Sequence, residues 1–384
     1  MTKYDPKVEE AIETLNMKDS PTRRRLLKGT GLVSASAAAS ALLAACSSSS
    51  GASTGAKDVA GNFPSTPKWK FTFVNHVTDI SFFVPTRYGF ADAAALLGIP
   101  TPSWVGASSQ QSNAAPPMVS AINAAIAAKA NGIATTVIDT TSFTKPVATA
   151  MAAGIPVVTY NADGAVNDPG TNRLAYVGQD LFVSGQQVAT KLAASVPAGG
   201  KVVGMIGDKS ALNLAPRIQG AYQVLQSSSK HFDVLGEVQT GTELTQVTTN
   251  VNEYLQANGS KLQGIFAVDG TTSQVLGPAL QKYGLVGKVA SGGFDLNPPT
   301  LTAVKAGQLA STIDQQPYLQ GFLPTLYLYL FNLSGGLVTP PETDTGLRFV
   351  TSANVSPYLS PATRFEGSTT SEKLISRSGP IVTS

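Results

Sequence analysis

The sequence predicts an α/β protein of two Rossmann-like lobes, each with a parallel sheet, joined by a hinge and holding a ligand cleft between them. Three observations carry this. From Lys70 onward, short β-branched runs alternate with Ala-rich helical stretches, the pattern of parallel βαβ units. Both halves repeat that grammar, and a stretch of about 300 residues suits two cores better than one. Finally, the strand-like runs end repeatedly in Asp, Asn or Gln, at the rim where open parallel sheets bind ligands.

The elements follow in order. The run Phe71 to Asn75 reads as a strand and leads into a helix over Val84 to Leu97. A helix over Pro116 to Ala130 precedes the strands Ile133 to Ile138 and Pro156 to Tyr160. Asp163 to Asn172, rich in Asp, Asn, Gly and Pro, has the composition of a junction between lobes. Beyond it come the helix Leu181 to Ala194, the strand Lys201 to Ile206 and the helices Pro216 to Gln226 and Leu244 to Ala257. Strand Gly264 to Val268, helix Ser273 to Tyr283, strands Lys288 to Gly292 and Leu309 to Ile313, and helix Pro317 to Leu333 complete the pattern.

Composition narrows the function. The 384 residues are 42% hydrophobic and 13% charged, which suits a globular chain and is too polar for a membrane channel. After residue 45 the chain carries 20 Lys and Arg against 19 Asp and Glu, so nothing recruits nucleic acid electrostatically. One cysteine cannot form an internal disulfide, and His76 and His231 alone make no zinc cluster. No Walker pattern or Gly-x-Gly-x-x-Gly is present, and no metal or cofactor is expected.

The first 45 residues read as an address. Thr22-Arg-Arg-Arg-Leu-Leu-Lys28 is followed by the uncharged stretch Gly29 to Ala45 and then Leu43-Ala44-Ala45-Cys46. A basic region, a weakly apolar stretch and small residues make an export signal, and the apolar part is short of the roughly 20 residues of a bilayer span. Thr22 to Lys28 resembles the twin-arginine motif, and Leu43 to Cys46 resembles the lipobox of bacterial lipoproteins, whose cysteine becomes the lipidated first residue. Ser47 to Gly55 has the composition of a flexible tether. The expectation is a signal peptide over 1–45, a tether over 46–67, and an exported domain lipid-anchored at a membrane surface through Cys46.

The strand ends supply the chemistry. Asp139, Tyr160-Asn161, Asp208, Asp269, Phe294-Asp295 and Asp314-Gln315 each close a strand-like run. Carboxylates and side-chain amides suit a ligand with many hydroxyls, since each hydroxyl donates once and accepts from a partner. A sugar's C–H faces also call for aromatic walls, and Phe82-Phe83, Tyr160 and Phe294 are available. Each acid has a second reading as a helix N-cap, and Phe82 and Phe83 a second reading as core. Arg217, at a helix start behind Asn213, either grips ligand oxygens or makes a surface ion pair.

From Trp69 to about Gly367 the chain resembles the ribose-type family of periplasmic sugar-binding proteins, the receptors of ABC importers. The resemblance rests on Ser81-Phe82-Phe83, Gly154-Ile-Pro-Val-Val-Thr159, Arg217-Ile-Gln-Gly220, Phe266-Ala-Val-Asp269, Gly293-Phe-Asp295 and Thr312-Ile-Asp-Gln315, in this order and spacing. It implies the type I periplasmic binding protein fold, with an N-terminal lobe of 68–172 and 316–339, a C-terminal lobe of 173–315 and 340–366, and a Ser/Thr-rich tail over 367–384. It implies that Phe82 and Phe83 sandwich a sugar and that Asn161, Asp269, Asp295 and Gln315 bind its hydroxyls. The ribose pattern carries Asp-Arg where this chain has Asn161-Ala162, and a sugar-gripping Arg falls at Ala215, leaving Arg217 two positions later. An aromatic near Gly241 is missing too. These departures argue against a ribose pocket and make His76, Asp79 and Asn213 candidates for replacement contacts.

The expected function is capture of a monosaccharide or polyol and its delivery, by a monomer, to the membrane subunits of an ABC importer. A membrane sensor is the alternative partner. A hydrolase is disfavoured: Gly51-Ala-Ser-Thr-Gly55 matches the nucleophile pattern but sits in the tether, and His76, Asp79 and Ser81 offer triad residue types without a motif in its required context.

Overall fold

The computed structural model describes residues 64–109, 111, 113–139, 141–164, 170–336, 340–361 and 363–367. The expected signal peptide, Cys46, nearly all of the tether and the tail from 368 lie outside the described residues.

Two parallel sheets, each with helices on both faces, form the two lobes. The first contains β1 (Phe71–Asn75), β2 (Ser103–Gly106), β3 (Gly132–Val137), β4 (Val157–Asp163), β5 (Ala175–Gly178) and β12 (Glu342–Asp344), in the order β12-β5-β4-β3-β1-β2. Every pairing in it is parallel. Its central strand β3 is buried at all six positions, as a strand covered on both faces must be. Helices α1 (Val84–Leu97) and α9 (Leu319–Ser334) bury Phe90, Ala94, Leu328 and Tyr329 on one face. Helices α2 (Ala115–Ala127) and α3 (Thr144–Ala152) bury Met118, Ile122 and Val147 on the other.

The second sheet contains β6 (Gly200–Ile206), β7 (Phe232–Val234), β8 (Val238–Gln239), β9 (Gly264–Ala267) and β10 (Ala290–Gly292), ordered β10-β9-β6-β7 with β8 also pairing β6. On one face α4 (Leu181–Ser195) and α5 (Ala215–Gln226) contribute Val188, Leu192, Ile218 and Leu225. On the other, α6 (Leu244–Asn258), α7 (Gly270–Lys282) and α8 (Pro298–Lys305) contribute Val251, Leu276 and Val304. A short antiparallel pair, β11 (Thr312–Asp314) with β13 (Arg348–Val350), adjoins this lobe, and α10 (Ser356–Leu359) places Tyr358 in its core.

The chain passes between the lobes three times: after β5, after β11 and after β12. One residue ties the three passages. The Thr345 amide donates to Gly178 O at 2.9 Å, and its hydroxyl donates to Gln315 O at 2.8 Å.

The expected junction at Asp163 to Asn172 is corrected here. That stretch joins β4 to β5, neighbours in one sheet, and the first passage comes only after Gly178. The lobe boundaries drawn at 172/173 and 339/340 therefore both fall before strands of the first sheet, β5 and β12. The reason is length: β5 is a hydrophobic run of only four residues, and β12 is three polar ones.

Two close helix crossings set the geometry around the passages. A Cβ on Gly89 of α1 would stand 2.1 Å from Tyr318 O beside α9, and one on Gly185 of α4 would stand 2.0 Å from Arg217 O on α5. Neither contact admits a side chain. The second crossing seats Arg217 against the start of α4 and the first interlobe passage.

Candidate ligand-binding site

A cavity of about 810 Å³ lies between the lobes and takes its lining from both. The first lobe builds its wall at the C-terminal end of β1. His76 follows the strand, its Nδ1 3.1 Å from Thr136 Oγ1, and burial lowers its pKa to about 4, so the ring is neutral. A single 3-10 turn, Ser81–Phe83, then turns Phe82 and Phe83 to the cavity before Pro85 opens α1. The two rings meet edge to face at 4.8 Å, and Phe83 meets His76 in the same manner at 5.5 Å, so Phe82 and Phe83 form one wall and do not hold a sugar between them as expected. Phe83 is 2% exposed, so both readings of it hold: it lines the cavity and belongs to the core.

Asn161 in β4 completes this wall. Its backbone is left-handed, φ +64°, a conformation Asn tolerates better than most residues. Its Nδ2 donates to Gln320 Oε1 at 3.1 Å, and its carbonyl accepts from Tyr176 at 3.2 Å.

The opposite wall is ionic. Asp269 caps α7, accepting from the Thr272 amide at 2.8 Å and the Thr272 hydroxyl at 2.9 Å, while the Gly207 amide donates to it at 2.9 Å. It is an N-cap and a cavity residue at once. Asp295 is left-handed like Asn161, φ +72°, and accepts from Gln315 Nε2. Burial raises the pKa of both carboxyls, an effect opposed by the Arg217 cation.

Arg217 is 3% exposed, donates from one guanidinium nitrogen to Val268 O at 2.8 Å, and lies 4.4 Å over the Phe294 ring. Burial lowers its pKa, and the Asp295 carboxylate leads the opposing effects. Its Nε has no hydrogen-bond partner, nor does Oε1 of Gln315, and both residues line the cavity. Both atoms are enclosed within the wall, and leaving buried polar atoms without partners is costly.

Most of the expected site converges: Phe82, Phe83, Asn161, Asn213, Arg217, Asp269, Asp295 and Gln315 all line the cavity, as does His76. Asp139 does not. Its carboxylate accepts from the Thr141 and Ser142 amides at 2.9 and 2.6 Å, a turn that consumes it locally. Asp208 and Asp314 are likewise engaged, with Ser210 and with Gln316 and Tyr358. Asp79 is not in the lining, but accepts from the amide and hydroxyl of Ser109, which is. Tyr160 and Phe294 are core residues with no exposure, Tyr160 accepting from Asn75 Nδ2 at 2.9 Å.

Glu243, Gln274 and Asn297 also line the cavity and escaped the sequence reading. Glu243 follows β8, two residues long and invisible as a strand. Asn297 stands before Pro298 at a helix start, a signal that reads equally as a turn. Among the described residues, no group of three or more His, Cys, Asp or Glu could hold a metal ion, and no helix is long and apolar enough to cross a membrane.

A family model described as a periplasmic binding protein domain matches residues 71–330. A xylose/arabinose-binding protein of Sulfolobus acidocaldarius is 40% identical over 324 residues, 82% of this chain and 78% of the relative. A ribose import binding protein of Haemophilus influenzae is 28% identical over 169 residues, 44% of this chain and 55% of the relative. Among solved structures, an ABC transporter solute-binding protein of Burkholderia graminis in complex with D-arabinose matches with a TM-score of 0.69 at 26% identity, covering 77% of this chain and 99% of that one.

Proposed function

The chain belongs to the periplasmic binding protein domain family, and from that premise we propose that it is the extracytoplasmic sugar receptor of an ABC importer, with an aldopentose of the xylose and arabinose class as its ligand. The observation that carries this reading is the pairing of the walls: rings of Phe82 and Phe83 on one side, and buried Arg217, Asp269, Asp295 and Gln315 on the other. A pyranose has apolar C–H faces for the first and hydroxyls at its edge for the second. Lobe closure about the three passages through Gly178, Gln315 and Thr345 delivers both walls to one ligand, so sugar selects the closed state.

The protein does no chemistry on its ligand in this reading. It hands the sugar to the importer's membrane subunits as a monomer. Cys46, exported behind a twin-arginine signal, holds it near them through a lipid, and mass spectrometry of the native, processed protein checks the anchor: an unmodified Cys46 removes it and leaves sugar binding standing.

A thermal-shift screen across pentoses, hexoses, amino sugars and polyols tests the binding. A true ligand at a hundredfold excess over Kd adds about 2.7 kcal/mol to the stability of the fold. An aldopentose is expected to move the melting transition most. If no compound moves it, the sugar-receptor reading is wrong.

A further inference from the structure

Resting on the sugar-receptor reading, we infer that Gln320, which does not line the cavity, is the positioning residue that orients the Asn161 amide so that Asn161 offers its Oδ1 as an acceptor to a sugar hydroxyl. Gln320 lies in the first turn of α9 with no solvent exposure. Its Nε2 donates to Gln315 O at 3.1 Å, and its Oε1 accepts from Asn161 Nδ2 at 3.1 Å.

The direction of this relay is set by an atom that cannot change roles. Gln315 O is a backbone carbonyl and can only accept, so the Gln320 amide must turn its nitrogen toward it. Gln320 then has only its oxygen to offer Asn161. A reversed Asn161 amide would bring two oxygens together in a buried space, so Asn161 turns its nitrogen to Gln320 and keeps Oδ1 free for the cavity. Asn161 is held from its backbone as well, since its carbonyl accepts from Tyr176 at 3.2 Å.

Gln315 is fixed by the same logic on the other side. Its Nε2 donates to the Asp295 carboxylate, which can only accept when ionised, so Oε1 is the atom left without a partner. Of the two amides at the meeting of the lobes, Asn161 thus keeps its oxygen for a hydroxyl donor in the cavity, while Gln315 Oε1 is enclosed in the wall. Because Gln315 is also an interlobe passage, whose carbonyl holds the Thr345 hydroxyl at 2.8 Å, Gln320 ties a ligand-facing amide of the first lobe directly to the hinge.

Calorimetry with D-xylose and D-arabinose tests this in a cycle of Gln320→Met, Asn161→Ala and the double variant. Gln320→Met is expected to weaken binding about tenfold, and to cost nothing further when Asn161 is already Ala. A purely structural role would move the melting temperature and leave the two losses to multiply. An affinity within about twofold of the unsubstituted protein, or multiplying losses, overturns the inference. Should Gln320→Met fail to fold, the unsubstituted protein still decides: its Asn161 side-chain NH2 signals in NMR should be protected from solvent exchange without sugar. Exchange at the rate of a free amide overturns the relay. Protected Asn161 signals together with no sugar heat would sink the receptor reading while leaving the amide orientation intact.

Discussion

The two walls of the cavity differ in kind. All ionised side chains in its described lining, Arg217, Glu243, Asp269 and Asp295, come from the second lobe, whereas the first contributes His76, held neutral, the rings of Phe82 and Phe83, and the amide of Asn161. Packing explains the division. The first wall is continuous with an aromatic cluster, Phe83 lying 5.9 Å from Trp104, so charge there would be buried in hydrocarbon without a partner. In the second wall the Arg217 cation acts on both the Asp269 and Asp295 carboxylates, which offsets part of the cost of burying all three. A ligand that stacks on one side and hydrogen-bonds on the other needs both lobes to reach it, which in the proposed reading couples affinity to closure.

The sharpest way to break this contrast is to discharge the second wall. Arg217→Leu leaves Asp269 and Asp295 without their cation and should cost sugar binding about 2 to 5 kcal/mol by calorimetry. Affinity retained near the starting value would show that the ionic wall is not the one that grips. Asp295→Ala and Gln315→Ala should each lose about 1 to 3 kcal/mol of binding with the fold intact, and unchanged affinity in both would refute their assignment to the ligand. Phe82→Ala removes a half-buried ring from the opposite wall, and a smaller loss, about 0.5 to 1.5 kcal/mol, is expected. A larger loss there than at Asp295 would invert the comparison.

Acid should act on the walls in opposite directions. The His76 pKa falls from 6.5 to about 4 on folding, so its contribution to stability is complete above pH 6.5 and is lost as pH falls through about 4. Asp269 and Asp295 have raised values, so their contribution is present below the ordinary carboxylate range and is lost as pH rises through the raised values. Melting temperatures followed from pH 6.5 to 4 should therefore fall less in His76→Gln than in the unsubstituted protein. Parallel curves would mean that His76 titrates alike in the folded and unfolded chain.

Much of this was readable along the chain, and the exceptions share a cause. Phe71 to Asn75 and Val84 to Leu97 were legible to the residue, because a buried parallel strand and a Pro-started helix closed by Gly98 carry their own signals. Strands β2, β5, β7, β8, β12 and β13, of two to four residues, went unread, although β9, β10 and β11, of three or four residues, were read, and helices α3 and α8 are too short for their periodicity to stand out. Asp139 and Asp269 look alike in sequence, each an acid closing a strand. Only the following backbone separates them: a turn folds onto Asp139, while Asp269 caps a helix with its carboxylate still at the cavity.

The sequence by itself determined the class of the molecule and the chemistry of its rim, because hydrophobic period and strand-end polarity are local properties that survive any folding partner. Tertiary structure alone decided which polar ends meet, where the chain changes lobes, and which way the amides point. Asn161 and Gln320 stand 159 positions apart, and the hydrogen bond that joins them exists only because α9 returns to the first lobe across β4. A contact between distant segments is set by the path of the backbone through space, and no window of sequence contains it.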